Sequence, residues 1–364
     1  MKFSRRHFLY GAGAIAASPL VLGQEPRPSR PWGAMRESPS VALSGPSTRS
    51  VVSLVSGEER RRNVYESLVA IEDQILPVLK TKKYVIIKPN IVSSVNQLAA
   101  THADALRGIM DFVAQRFAGP VVIAESAAGR TDDGYNNFKY TALPAEYRTS
   151  AMQLIDLNAE GKYEVMPILD ANLHPVPVRL AARLLDPDAY VMCAGVMKTH
   201  NVVVATLSVK NMCLGAPLRN GPKDRPMWSD KRHYHGGVRQ THYDIFLTAQ
   251  KLKPFWGAAV IDAYEGMEGN GPASGTPVAS RIAIASTDFI AADRVGVEAM
   301  GINPAWLGYL NFCSNYGVGQ FNLDRIDIRG AKLADVVKKY QMHGDIERLL
   351  QWMGPMTELP PRLG

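Results

Sequence analysis

Residues 258–277 read AAVIDAYEGMEGNGPASGTP. The apolar run AAVI reaches a carboxylate at Asp262 and then opens into a loop carrying Gly266, Gly269, Gly271 and Gly275. A short apolar run bounded by glycine and proline reads as a buried strand. A carboxylate at the C-terminal end of such a strand, followed by a glycine-rich turn, is where open α/β sheets place their ligands. Glu265 and Glu268 add two further acids to the loop. The stretch therefore predicts one strand of an α/β sheet, over 255–262, and one wall of a site.

Outward from this strand, others of the same type recur. VVSLV (51–55), YVIIK (84–88), PVVIA (120–124), YVMCA (190–194) and RIAIA (281–285) are all apolar runs of strand length. Shorter strands are expected over 152–156, 163–167, 176–179 and 326–329. Helical periodicity fills the intervals: 63–75, ending at Pro77; 102–117; 238–252; 288–300, with Ser286 or Thr287 as cap and Gly301 as stop; and 304–316. A mostly helical tail is expected over 331–353. Apolar strands alternating with amphipathic helices predict an α/β fold. The expected architecture is a single main domain over 49–330, with a largely parallel or mixed central sheet and helices on both faces. Residues 216–237 read as a loop-like insertion over a site, and 331–364 as a C-terminal tail.

The chain has 364 residues, 46% hydrophobic and 21% charged, with a net charge of +7. Lys2, Arg5 and Arg6 supply three of those charges. The remainder is too weakly basic for a nucleic-acid footprint, so no nucleic-acid partner is expected. Arg5–Arg6, followed by Phe8, Leu9 and a weakly apolar run to Gly23, resembles a twin-arginine secretion signal. It predicts a signal over 1–23, a linker rich in Pro, Ser and Arg over 24–48, the Tat export machinery as a partner, and a periplasmic or secreted destination. The run is too short and too rich in Gly and Ala for a stable membrane anchor.

Polar residues stand at four strand ends: Lys88 and Asn90, Glu125 and Ser126, Lys198 and His200, and Asp262. Any strand can end in polar groups at the surface, but four such ends together suggest one shared crevice. Lys210 and Asn211 lie in the apolar context LSVKNMCLG, where a lysine requires a partner to offset its burial. Lysines near carboxylates suit a carboxylate or phosphate ligand, or general-base chemistry. Lys198, Lys210 and Asp262 are thus the candidate catalytic residues. Lys88, Asn90, His200, Asn211, Glu268 and Asn270 are the candidate ligand-binding residues. The glycine loop is neither a Walker loop nor GxGxxG. Asp262 and Glu268 are the candidate oxygen ligands for a divalent metal, with the cofactor otherwise left unassigned; the competing reading of the loop is a structural turn. His233, His235 and His242 lack ligand spacing for zinc and read as surface. The basic residues around them, Lys231 among them, read as a solvated loop or a cationic lid. Cys193, Cys213 and Cys313 form no CxxC and no iron–sulfur pattern.

The VID strand before MEGNGPASGTP, MKTH followed by LSVKNMCLG, the IIKPN strand end and STDFIAADRVGVEAMG together resemble the family named domain of unknown function 362, over most of residues 80–316. The resemblance supports the same strand-end residues and adds Asp288 and Asp293 as pocket candidates. Some members carry ferredoxin-type segments, which this chain lacks. Two functional expectations follow. One is an exported enzyme acting on a small anionic or metal-bound substrate. The other is a non-catalytic maturation factor that holds a cofactor, metal or partner.

Overall fold

The computed structural model describes residues 46–220 and 228–354. The expected signal and nearly all of the expected linker fall outside the described residues. Twelve strands form: β1 (Ser50–Ser56), β2 (Tyr84–Lys88), β3 (Val121–Glu125), β4 (Gln153–Asp156), β5 (Tyr163–Leu169), β6 (Pro175–Ala181), β7 (Ala189–His200), β8 (Val204–Thr206), β9 (Trp256–Glu268), β10 (Thr276–Val278), β11 (Ile282–Ser286) and β12 (Ile326–Gly330). The main sheet runs β12-β1-β11-β9-β7-β2-β3-β4, with β10 on β9 and β8 on β7; β5 and β6 pair separately.

The five neighbours β9, β7, β2, β3 and β4 are parallel. β11 lies antiparallel between β9 and β1, and β12 is parallel to β1. The sheet is thus mixed and mostly parallel, with helices around it. The strands bury both faces, and two apolar clusters flank the sheet. One packs Ile86, Val191, Cys193 and Ile261 against the helix Ser208–Gly215. The other packs Val85, Ile87 and Val260 against the helices Arg60–Val69 and Ala103–Ala114.

Several boundaries differ from the sequence reading. The expected helix 63–75 is two helices, Arg60–Val69 and Glu72–Leu79, and Pro77 lies inside the second. The strand expected to end at Asp262 continues to Glu268, because β10 and β11 both pair with it. The described part of the tail, to residue 354, holds only short helical turns, at Leu333–Val336, Ile346–Leu349 and Leu350–Met353. Asp288 itself caps the helix Phe289–Ala299, accepting from the amides of Ile290 and Ala291 at 3.0 and 3.1 Å. No helix among the described residues is long and apolar enough to cross a membrane.

The chain adds β3 and β4 on one side of β2, then returns to place β7 and β9 on the other. Strand order therefore reverses between β2 and β7. The C-terminal ends of strands at such a reversal leave a crevice between the diverging connections.

Candidate functional site

A pocket of about 240 Å³ lies at the ends of β2, β3 and β7. That is below the range of about 300–1,000 Å³ usual for drug-sized ligands and suits a small metabolite. Asn90, Glu125, Ser126, His200, Lys210, Asn211, Lys231 and His235 supply its polar lining, and Pro272 of the glycine loop borders it.

Beneath the pocket lies a closed polar network. Lys88 is fully buried, and its Nζ donates to Glu125 Oε2 at 2.9 Å, Asn211 Oδ1 at 3.1 Å and the Pro89 carbonyl at 3.1 Å. Asn90 Nδ2 donates to Asn211 Oδ1 at 2.9 Å, and Lys198 Nζ donates to Asn90 Oδ1 at 2.6 Å and the Ala99 carbonyl at 2.7 Å. Glu125 Oε1 accepts the Ser126 amide at 2.9 Å. Burial raises the Glu125 pKa, against the opposing pull of Lys88 and Lys231. Burial likewise drives Lys198 well below its ordinary value. The network fits only because residue 215 is glycine. A Cβ there would lie 2.1 Å from Lys88 Nζ.

Lys210 differs from these lysines. It is only 6% exposed and lines the pocket, yet its ammonium has no hydrogen bond or ion pair among the described residues. Burial and the neighbouring Lys88 charge hold its pKa at about 7. Its helix, Ser208–Gly215, is started by a carboxylate from another helix. Asp293 accepts the Ser208 amide at 2.8 Å, the Ser208 hydroxyl at 2.5 Å and the Val209 amide at 3.0 Å. Asp293 is completely buried, and burial pushes its pKa to about 7. It is an N-cap in trans, and Asp288 an N-cap in cis; neither lines this pocket, and Asp288 borders a separate cavity with Lys253 and Trp256.

Two histidines border the pocket with opposite tautomer constraints. His200 Nδ1 accepts the amides of Val202 and Val203 at 3.0 and 3.3 Å, so its proton sits on Nε2. Burial keeps this imidazole neutral. The turn that supplies those amides is strained at Val204, whose φ of 70° is unusual for a β-branched residue. His235 Nδ1 lies 2.8 Å from the Lys231 carbonyl, which makes Nδ1 the donor and leaves the lone pair on Nε2. Both Lys231 and His235 sit on the turn Asp230–His235. Arg179 anchors that turn: its Nε and Nη2 bind Asp230, each at 2.8 Å, and its guanidinium stacks 3.3 Å over Trp228. Lys231 Nζ reaches Ser126 Oγ and the Leu214 carbonyl, both at 2.9 Å. Burial lowers its pKa to about 7. The described part of segment 216–237 is therefore a fixed wall of the pocket; residues 221–227 lie outside the described residues.

Of the residues singled out from sequence, Asn90, His200, Lys210 and Asn211 line the pocket, and Lys88 and Lys198 support it. Asp262, Glu268 and Asn270 do not join them. Alternation along β9 turns Asp262 onto the opposite face, beside Ala258 and Val260, where its carboxylate pairs with Arg60 at 3.1 Å. Glu268 accepts the Gln341 amide at 2.8 Å, and Asn270 accepts the Gly344 amide at 3.3 Å. The glycine loop is thus clasped by the tail, and Asp262 and Glu268 are engaged separately. Among the described residues no group of three or more His, Cys, Asp or Glu is placed to hold a metal ion. The sequence reading noted Glu125 and Ser126 at a strand end but left them out of the site. Lys231 and His235 carried no signal beyond a basic loop, because Arg179 and Trp228 fix their placement.

A family model, Domain of unknown function (DUF362), matches residues 85–298. No curated protein matches the chain. Among solved structures, a Thermotoga maritima protein from the Northeast Structural Genomics Consortium aligns at 10% identity with a TM-score of 0.39, over 58% of this chain and 52% of that one. The chain spans about half the length of that structure.

Proposed function

We propose that this chain, which belongs to the DUF362 family, binds a small anionic metabolite in the strand-end pocket and acts on it, with Lys210 as the group that meets the ligand. One observation carries the reading. Lys210 is a residue only 6% exposed whose amine opens onto the pocket and has no partner among the described residues. Desolvating an unpaired amine is costly, and an anion in the pocket would offset that cost. Lys231 adds a second cation, and His200 a neutral Nε2–H donor. Among the described residues, the one carboxylate lining the pocket, Glu125, is already committed to Lys88. An amine with a pKa of about 7 also meets the requirement of a general base or nucleophile at neutral pH.

The test is calorimetric titration with a panel of small carboxylates and phosphates, on the native protein and on Lys210→Met. At least one panel member is expected to bind the native protein. Its affinity should fall at least about tenfold in the variant, as expected for loss of a charged hydrogen bond. Circular dichroism should show the fold intact. Unchanged affinity in Lys210→Met would refute the reading.

A further inference from the structure

We infer that Lys210 Nζ is a nucleophile that forms an imine with the carbonyl carbon of a small oxo acid, an inference that rests on the anion-binding reading of this pocket. The argument begins with the other lysines. Lys88 donates to three acceptors, and Lys198 and Lys231 to two each. Those hydrogen bonds occupy all three ammonium protons of Lys88 and two of the three on each of Lys198 and Lys231. Lys210 makes none of these bonds among the described residues and lines the pocket, so it is the lysine there whose lone pair is uncommitted. A desolvated lysine beside a second cation is a recurrent way to obtain a nucleophilic amine. Here Lys88 is that cation.

The two imidazoles divide the remaining work. Nδ1 of His200 is fixed as an acceptor, so Nε2–H can polarise a carbonyl oxygen as a neutral donor. Nδ1 of His235 is fixed as a donor, so its Nε2 lone pair can move a proton. Lys231 offers a positive charge to the substrate carboxylate, and the pocket's small volume suits such an acid.

The step balances without a redox partner. The Nζ lone pair adds to the carbonyl carbon, and the former carbonyl oxygen becomes a hydroxyl. His235 carries one nitrogen proton to that oxygen to make the hydroxyl and then the second proton to the hydroxyl, which leaves as water as the nitrogen lone pair closes the C=N bond. The oxygen and both amine hydrogens depart in that water, and a C=N bond replaces C=O.

The experiment is reductive trapping. The full chain is incubated with pyruvate, and separately with glyoxylate, then treated with sodium borohydride, which reduces C=N to a stable amine. Intact mass and peptide mapping locate the adduct. One adduct per chain at Lys210 is expected with at least one probe, and none at that position in Lys210→Met. Lys210→Arg keeps the cation without the nucleophile and is expected to retain probe binding in calorimetry while giving no adduct. Absence of an adduct at Lys210 with both probes, or equal labelling across surface lysines, overturns the imine. If the native protein still binds a probe in a Lys210-dependent way but is not trapped, the imine falls and anion binding stands. If Lys210-dependent binding of the whole anion panel is absent as well, both fall.

Discussion

Lys88 and Glu125 form an ion pair whose side chains are 0% and 3% exposed. Such a pair is costly to break, because removing one charge leaves the other buried and uncompensated. Glu125→Gln is therefore expected to destabilise the fold by about 3–5 kcal/mol in urea denaturation. Replacing both partners, as in Lys88→Met with Glu125→Leu, is expected to cost less than the single change. A double variant less stable than Glu125→Gln would show that the network, rather than the orphaned charge, is the larger factor. This scale also shows what one sequence can reveal. Lys210 stood out because a lysine in an apolar segment requires an explanation. Asp262 was misjudged because its partner, Arg60, lies some two hundred residues earlier, and no local pattern announces the pair. One residue of extra strand length sets which face a side chain meets.

The helix Ser208–Gly215 is held at both ends by residues from elsewhere. Asp293 satisfies its first amides, and the stem of Lys88 lies against its last residue. Asp293→Ala should leave the Ser208 and Val209 amides unpaired in the core, at a cost of about 1–3 kcal/mol. It should also weaken anion binding, because Lys210 lies within the first turn. Gly215→Ala places a methyl group on the Lys88 ammonium, and about 1–3 kcal/mol of destabilisation is expected from the forced shift. Chemical denaturation with parallel calorimetry separates the two cases; Asp293→Ala with native affinity would remove the link between cap and pocket. Elements of this kind are legible by type and not by partner. The apolar strands were recognised from their runs, and the lysine-bearing helix was not, since every residue of Ser208–Gly215 is buried and no apolar and polar faces separate.

Across the whole molecule, amines with a lowered pKa couple stability to pH. Lys210 and Lys231 each titrate at about 7 in the fold, against about 10.4 in an unfolded chain. Above pH 7 the unfolded chain binds more protons at these positions, so their contribution to stability rises with pH. Lys88, Lys198, Glu125, His200 and His235 surround them, and all remain in place in Lys210→Met. The melting temperature of the ligand-free variant, minus that of the native protein, is therefore expected to decline from pH 7 to 8.5. A flat difference would mean that the Lys210 amine is not depressed. Anion affinity should follow the opposite course and weaken above pH 7, as the cations are lost. The α/β class was readable from strand and helix alternation. The reversal of strand order between β2 and β7, which creates the pocket, was not, because strand adjacency is a long-range property of the folded chain.

Eighty-five residues separate Ser208 from the carboxylate that starts its helix. A growing chain releases the lysine-bearing segment from the ribosome well before Asp293 follows. β1 waits as well, since β11 and β12 lie on either side of it. A nascent chain, or a product truncated before Asp293, carries the pocket lysines without the carboxylate that caps the Lys210 helix. A cap supplied from so far along the chain leaves the first amides of the Lys210 helix without their carboxylate until synthesis has passed Asp293.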